Sequence, residues 1–84
     1  MIPSAGVTTE YSEKIITVTK PCMVMISQID AIYTKGIISI ETINNGKISA
    51  VFIKTQNKPR IVIRTGYPEQ EGDRIQKLIE SKCT

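Results

Sequence analysis

Apolar and polar side chains alternate along most of the chain between residues 13 and 65. A period of two is typical of half-buried β-strands, whose successive side chains point to opposite faces. Pro21 separates the first two alternating segments, and Ser27-Gln28 indicates a bulge or a short break inside the second. The pattern predicts about five strands, at residues 13–19, 22–33, 37–43, 47–55 and 60–65.

Short turns join these segments. The stretches TKG (residues 34–36) and QNKP (residues 56–59) are expected to be turns. Asn44-Asn45-Gly46 is a strong hairpin signal, because Asn and Gly tolerate positive φ. Connections this short leave no room for parallel crossovers, so we expect neighbouring strands to pair antiparallel.

The alternation ends at Tyr67-Pro68. Beyond it, Ile75, Leu78 and Ile79 recur with the i, i+3, i+4 spacing of one helix face. Acidic residues precede basic ones along this segment, which suits the helix dipole, and proline is favoured at the first helical position. The sequence predicts a helix at about residues 69–82, whose apolar face covers the sheet.

These elements predict a β-rich α+β fold, in which about five antiparallel strands form a bent sheet or small barrel capped by one C-terminal helix. Composition supports it, since 30 of the 84 residues are the β-branched Ile, Val and Thr. The length allows one small domain, expected at residues 13–84 after a flexible arm at 1–12. An Sm-like or OB-like barrel and a sheet completed only in a dimer are alternatives.

The order of elements over residues 14–82 resembles a reduced pleckstrin-homology-like (PH-like) barrel. Within it, QIDAIYTKGIISIETINNGK (residues 28–47) resembles small flagellar FlbD-type proteins, where an isoleucine-containing segment precedes a strand and an Asn-Gly turn. The strand RIVIRT (residues 60–65) is an addition to that second pattern. The PH-like resemblance implies peptide binding at a sheet edge beside the helix.

Catalytic chemistry has little support in the sequence. Histidine, the commonest general base and metal ligand, is absent. No pair of carboxylates is expected to converge, and neither a phosphate-binding glycine loop nor a metal-ligand spacing occurs. We therefore expect a protein that is not an enzyme, with no catalytic residue, no metal and no cofactor.

The two cysteines are too few for a disulfide framework or a four-ligand zinc site. The favoured interpretation makes Cys22 a small apolar filler and Cys83 a thiol near the terminus. A bridge between them is the alternative.

Positive charge is concentrated in one predicted hairpin. The net charge is +3, yet residues 47–64 carry five cations and no acid, and Phe52 is expected to point inward with Ile48 and Ala50. Three interpretations remain open: a solvated edge guarded against strand addition, a protein contact, or binding of nucleic acid or a phospholipid headgroup. The candidate binding residues are Lys47, Lys54, Lys58, Arg60 and Arg64.

Several predicted strands are apolar on both faces, as where Met23 and Met25 alternate with Val24 and Ile26. A single small domain has one interior, so surplus apolar positions favour self-association. The leading hypothesis is a protein-interaction module that forms a homo-oligomer, and polyanion binding by the basic hairpin is the alternative. With no secretory signal and no apolar run of about 20 residues, we expect a cytoplasmic protein.

Overall fold

Four strands and one helix follow one another in the computed structural model, which describes residues 9–56 and 58–83. The strands form one antiparallel sheet in the order β1-β2-β3-β4. Their bounds are β1 Glu10–Met25, β2 Ala31–Asn44, β3 Ser49–Thr55 and β4 Ile61–Arg64, and α1 spans Pro68–Cys83.

The expected fold class is confirmed. A register shift divides β1 into two halves, so that five antiparallel segments form a curled half-barrel with one C-terminal helix. β1 begins at Glu10, inside the stretch expected to be an arm, while residues 1–8 of that arm lie outside the described residues.

The first chain reversal lies where the sequence indicated only a break. Residues 27–30 form the turn: the amides of Ile26 and Ser27 donate to the Asp30 carbonyl, and the Ser27 hydroxyl accepts from the Asp30 amide at 3.0 Å. The predicted turn at residues 34–36 is wrong, because Gly36 uses its positive φ of 110° inside β2. The predicted strand 22–33 is therefore shared between β1 and β2.

The irregularity in β1 preserves the two faces of the sheet. Val18 pairs with Gly36 and Cys22 with Thr34, so three residues of β1 lie opposite one residue of β2. Because the excess is two residues, inward and outward positions keep their alternation across the break. Pro21 lies in this break, where a missing amide donor is tolerated.

The predicted Asn-Gly hairpin is confirmed between β2 and β3. The Asn45 side-chain oxygen accepts hydrogen bonds from the amides of Lys47 and Ile48, at 2.9 and 2.7 Å. The turn brings Asn44 opposite Ser49, which sets Ile40 opposite Ile53 in the register of the two strands.

The core lies between the concave face of the sheet and α1. The predicted apolar helix face is confirmed, since Ile75 and Ile79 are fully buried and Leu78 packs beside them. α1 lies closest to β1, then to β2 and β3. The buried cluster comprises Ile16, Val18, Val24, Ile26, Ile32, Ile38, Ile40, Val51, Ile53, Ile75 and Ile79.

A disulfide joins Cys22 of β1 to Cys83 at the end of α1, with 5.6 Å between the Cα atoms. The interpretation of two separate thiols is therefore wrong. The two cysteines are 61 residues apart in the sequence, which does not indicate that they are close in space. They meet because α1 runs back along β1. Polar contacts attach the same helix, since Arg74 donates to the Ile26 carbonyl and Asp73 pairs with Lys14.

Candidate functional site

The outer face of the sheet, opposite α1, carries the residues of interest. On β3 the inward residues are Val51 and Ile53, which belong to the core cluster, whereas Phe52 and the small, buried Ala50 line the outer face. Ile48 in the preceding turn is half exposed. The expectation that Phe52 points inward is wrong. Apolar residues occupy both faces of β3, so the sequence pattern did not show which face is buried. Packing against α1 buries the face that includes Ile53, which lies opposite Ile40.

A groove of 660 Å³ runs over the outer face between β3 and β4. Its floor is apolar, and none of its lining residues is acidic. We call it the basic groove; its lining includes the apolar Ala50, Phe52 and Val62 and the cations Lys47, Arg60 and Arg64. The structure thus brings together three of the five predicted binding residues.

Arg60 is held over the aromatic part of the groove. Its guanidinium carbon lies 4.7 Å from the centre of the Phe52 ring, within the range of a cation–π interaction. Arg64 lies opposite Ala50 in the strand register, and Val62 lies opposite Phe52. Arg60, Val62 and Arg64 therefore alternate along the outer face at the edge of the sheet.

The other two predicted binding residues have partners elsewhere. The Lys54 ammonium lies 3.7 Å from a carboxylate oxygen of Glu41. Lys58 donates to the Tyr33 carbonyl at 2.8 Å, and its ammonium lies 5.7 Å from the centre of the Tyr33 ring. These contacts place Lys54 and Lys58 outside the basic groove.

Two acidic residues are cross-strand neighbours on the outer face. Glu13 lies opposite Glu41 in the register of β1 and β2. The Ser39 hydroxyl donates to Glu13 at 2.9 Å, and the Tyr11 hydroxyl donates to Glu41 at 2.7 Å. That hydrogen bond, with burial and the negative charges nearby, raises the pKa of Tyr11 to about 12.

A second feature of the outer face is apolar. Large outward side chains on strands β1 and β2 are exposed, from 47% for Ile37 to 64% for Met23. Met23 and Tyr33 are direct cross-strand neighbours. We call the set formed by Ile15, Met23, Met25, Tyr33 and Ile37 the outer hairpin patch.

The two features lie toward opposite edges of the sheet. α1 packs along β1, so the edge beside the helix is the β1 edge, whereas the basic groove lies at β4. The sequence placed the peptide-binding edge beside the helix and the cations in the β3–β4 hairpin. The structure separates these two expectations, because β2 lies between β1 and the β3–β4 hairpin.

The chain matches no protein-family model, no curated protein and no solved structure in comparisons with known proteins. The resemblance to PH-like barrels and to FlbD-type proteins stays a prediction. Across residues 9–56 and 58–83, no cluster of three or more Cys, Asp or Glu side chains is arranged to hold a metal ion. The single described helix has neither the length nor the apolar character needed to span a membrane.

The sequence missed the apolar floor of the basic groove. It assigned Phe52 to the core and gave Val62 no role. A signal was present in the sequence, because Ile38 and Ile40 alternate with the polar Ser39 and Glu41 and so indicate the inward face of β2. The hairpin turn sets Ile40 opposite Ile53. If the alternation of inward and outward positions is continued across the turn, Phe52 and Ala50 fall on the outer face.

Proposed function

We propose that this chain is a non-enzymatic protein-interaction module that self-associates through the outer hairpin patch. The carrying observation is the exposure of five large apolar side chains along one face of the β1–β2 hairpin. Apolar patches exposed on one face of a protein mark interaction sites, and here the exposed Lys35 lies between Tyr33 and Ile37 within the patch. Covering such a surface contributes about 25 cal/mol for each Å² removed from water.

A second copy of the chain is the occupant that the chemistry of the patch favours. In a two-fold dimer the same patch faces itself, so the surface must complement its own composition. Apolar side chains meet this condition, whereas a patch of one charge repels its copy. Met23 and Met25 add adaptable, unbranched side chains that fill gaps at such an interface.

Sedimentation of the full chain over a range of concentrations tests self-association. We expect a monomer–dimer equilibrium, and a double variant Met23→Thr/Tyr33→Thr with a dissociation constant at least about tenfold higher, equivalent to about 1.4 kcal/mol. Thr keeps the strand preference of these positions. Ile48→Thr is the matched control, since Ile48 is similarly exposed but lies at the basic groove.

The proposal is wrong if the unmodified chain stays monomeric up to about millimolar concentration, the weak limit of measurable association. It is also wrong if Ile48→Thr weakens association as strongly as the double variant. The second outcome would move the interface to the β3–β4 side of the sheet.

Polyanion binding is the second candidate function, and the observation that favours it is the set of three cations in a groove without an acidic residue. For a single strand, each phosphate that a cation neutralises makes the slope of log affinity against log salt concentration more negative by about 0.7. Titration with oligothymidylate is expected to give a slope of about −2 if all three cations contact phosphates. Binding that does not change with salt would exclude this candidate.

A further inference from the structure

The β4 edge of the sheet presents unpaired backbone groups. The Thr65 amide donates to the Ser49 carbonyl at 3.2 Å, so these two residues form a hydrogen-bonded pair. Hydrogen-bonded pairs recur at every second residue of an antiparallel ladder, which assigns Ile63 and Ile61 to the next two. The amides and carbonyls of Val62 and Arg64 therefore point away from β3, toward the open edge.

Space lies beside this edge. A cleft of 440 Å³ is lined by Val62 and Ile63 on one side and by the β1–β2 turn, residues 27–30, on the other. The curl of the sheet brings that turn around to face β4 without closing the barrel. An extended segment placed in the cleft continues the sheet and finds its backbone partners on β4.

The outward side chains at this edge follow a charge pattern that an added strand can match. Arg60, Val62 and Arg64 occupy every second position on the outer face, and residues directly opposite on an adjacent strand keep the same spacing. Opposite charges in such cross-strand pairs are stabilising. The complementary strand has an acidic, an apolar and an acidic side chain at alternate positions.

We propose that β4 binds an extended segment of a partner protein by strand addition, and that this segment carries the pattern acidic–x–apolar–x–acidic. The inference deepens the proposed protein-interaction function, but it uses a surface separate from the outer hairpin patch. Main-chain hydrogen bonds provide affinity in this mode of recognition, and the alternate side chains provide specificity.

A second copy of the chain does not suit this edge. Two β4 strands paired antiparallel about Val62 place Arg60 of each copy opposite Arg64 of the other, and like charges directly opposite are destabilising. The same arginines guard the short edge against unspecific strand pairing. The same two arginines therefore protect the edge and select its partner, because their charges repel most strands and attract acidic ones.

The test is titration of the full chain with a short synthetic peptide in which Glu, Val and Glu alternate with Thr. Two control peptides have the same length: one carries Lys in place of Glu, and one has the same composition with its two Glu residues adjacent. Adjacent residues of a strand point to opposite faces, so the second control cannot pair both charges. We expect the alternating peptide to bind at least about tenfold more tightly than either control.

Charge reversal provides the matched variant. Arg60→Glu/Arg64→Glu is expected to lose the acidic peptide and to bind the Lys peptide instead. Lys20→Glu/Lys77→Glu makes the same change in net charge at two exposed positions outside the groove, and it is expected to keep the original preference. A loss of acidic-peptide binding in both double variants would mean that net charge alone acts, and it would overturn the proposal.

Hydrogen exchange on the unmodified chain separates strand addition from simple contact with the groove. The amides of Val62 and Arg64 are expected to exchange at least about tenfold more slowly with the peptide bound, since they gain partners. Val62→Pro removes one of these donors without breaking a bond to β3, so it is expected to abolish binding, whereas Val62→Thr retains it. Unchanged exchange at both amides in the complex overturns the proposal.

Two further outcomes are decisive. If oligothymidylate binds at the groove and the acidic peptide does not, the partner is a nucleic acid and the proposal fails. The Met23→Thr/Tyr33→Thr variant is expected to bind the peptide with unchanged affinity, even where it no longer self-associates. The experiments therefore distinguish a failure of the proposed self-association from a failure of the proposed strand addition at β4.

Discussion

Two glycines occupy positions where a larger residue meets neighbouring atoms. Gly36 has a φ of +110°, and a Cβ there would lie 2.8 Å from the side-chain oxygen of Gln56. Gly72 lies inside α1, where a Cβ would lie 2.7 Å from the Cγ2 of Thr42 on β2. A glycine inside a helix weakens it, but Gly72 lets the helix approach the sheet at this point.

Gly72→Ala is expected to lower the free energy of unfolding by about 1 kcal/mol. Alanine improves helix propensity by about 1 kcal/mol, but overpacking against the buried Thr42 costs about 1–3 kcal/mol. Urea denaturation monitored by circular dichroism measures the difference.

Thr42→Ser supplies the control for this prediction. It removes the methyl group in the way and keeps the hydroxyl that hydrogen-bonds Ser12 at 2.6 Å. In the double variant, alanine is expected to be neutral or stabilising relative to Thr42→Ser alone. Equal effects of Gly72→Ala in both backgrounds would show that the helix is not held at this contact.

The phenol of Tyr11 provides a pH-dependent observable. The hydrogen bond to Glu41, followed by burial and the charges of Glu41 and Glu13, raises its pKa from 10.0 to about 12. Because the folded pKa is the higher one, the interaction stabilises the fold fully below pH 10 and is lost as the pH rises through 12.

Ultraviolet titration of tyrosinate, with Tyr11→Phe subtracted, is expected to show a midpoint near pH 12. Glu41→Gln should lower that midpoint toward 10, because it removes the charged acceptor. Glu13→Gln should lower it less, since Glu13 is the weakest of the contributors. A Tyr11 midpoint that does not respond to Glu41→Gln would contradict the hydrogen bond.

At the scale of elements, α1 is attached to the sheet by three kinds of contact. Ile75 and Ile79 fill the concave face, Arg74 donates to the Ile26 carbonyl, and Cys83 is bonded to Cys22. α1 lies closest to β1, so the helix closes the half-barrel along that edge and leaves the backbone edge of β4 open.

Removal of the disulfide is expected to lower stability by about 4 kcal/mol, the loop-closure value for a separation of 61 residues. Cys22→Ser/Cys83→Ser and the reduced unmodified chain should unfold at similarly lower urea concentrations. A thiol assay on the unfolded, unreduced chain provides the control, because it should detect no free thiol at Cys22 or Cys83.

The detection of two free thiols on that unreduced chain would contradict the bridge. Disulfides persist in oxidising compartments, whereas cytosolic thiols are kept reduced. The bridge and the expected cytoplasmic location therefore point to different compartments, and the location stays a prediction.

The misplaced first turn of the chain has an identifiable cause. Gly36 looked like a turn residue, but its positive φ serves the irregular pairing opposite Val18 within β2. The actual turn at residues 27–30 has no glycine and depends on the Ser27 hydroxyl, which accepts from the Ile29 and Asp30 amides. A hydroxyl that replaces a glycine is a weak signal in sequence, since most serines do not form such turns.

At the scale of the whole molecule, the half-barrel has one open edge, at β4, and two different outer surfaces. The outer hairpin patch lies on β1 and β2, and the basic groove lies on β3 and β4. A closed barrel would have no free edge. The open sheet therefore allows self-association at one side and binding of an extended segment at the other.

Self-association predicts a thermal midpoint that depends on protein concentration. Each tenfold rise in concentration is expected to stabilise the folded dimer by about 1.4 kcal/mol and to raise the midpoint by several degrees. The Met23→Thr/Tyr33→Thr variant should need a concentration at least about tenfold higher to reach the same midpoint. Scanning calorimetry at three concentrations measures both, and a concentration-independent midpoint for the unmodified chain would contradict the dimer.

The sequence by itself determined the β-rich class, the Asn-Gly hairpin and the apolar face of α1. Each depends on local periodicity or on turn chemistry, which neighbouring residues specify. Tertiary structure alone decided that Cys22 is bonded to Cys83 and that Phe52 points outward. It also decided that Lys54 pairs with Glu41 and lies apart from the cations of the basic groove. These facts depend on which face of an ambiguous strand the helix covers, and that choice is made by packing between segments far apart in the chain.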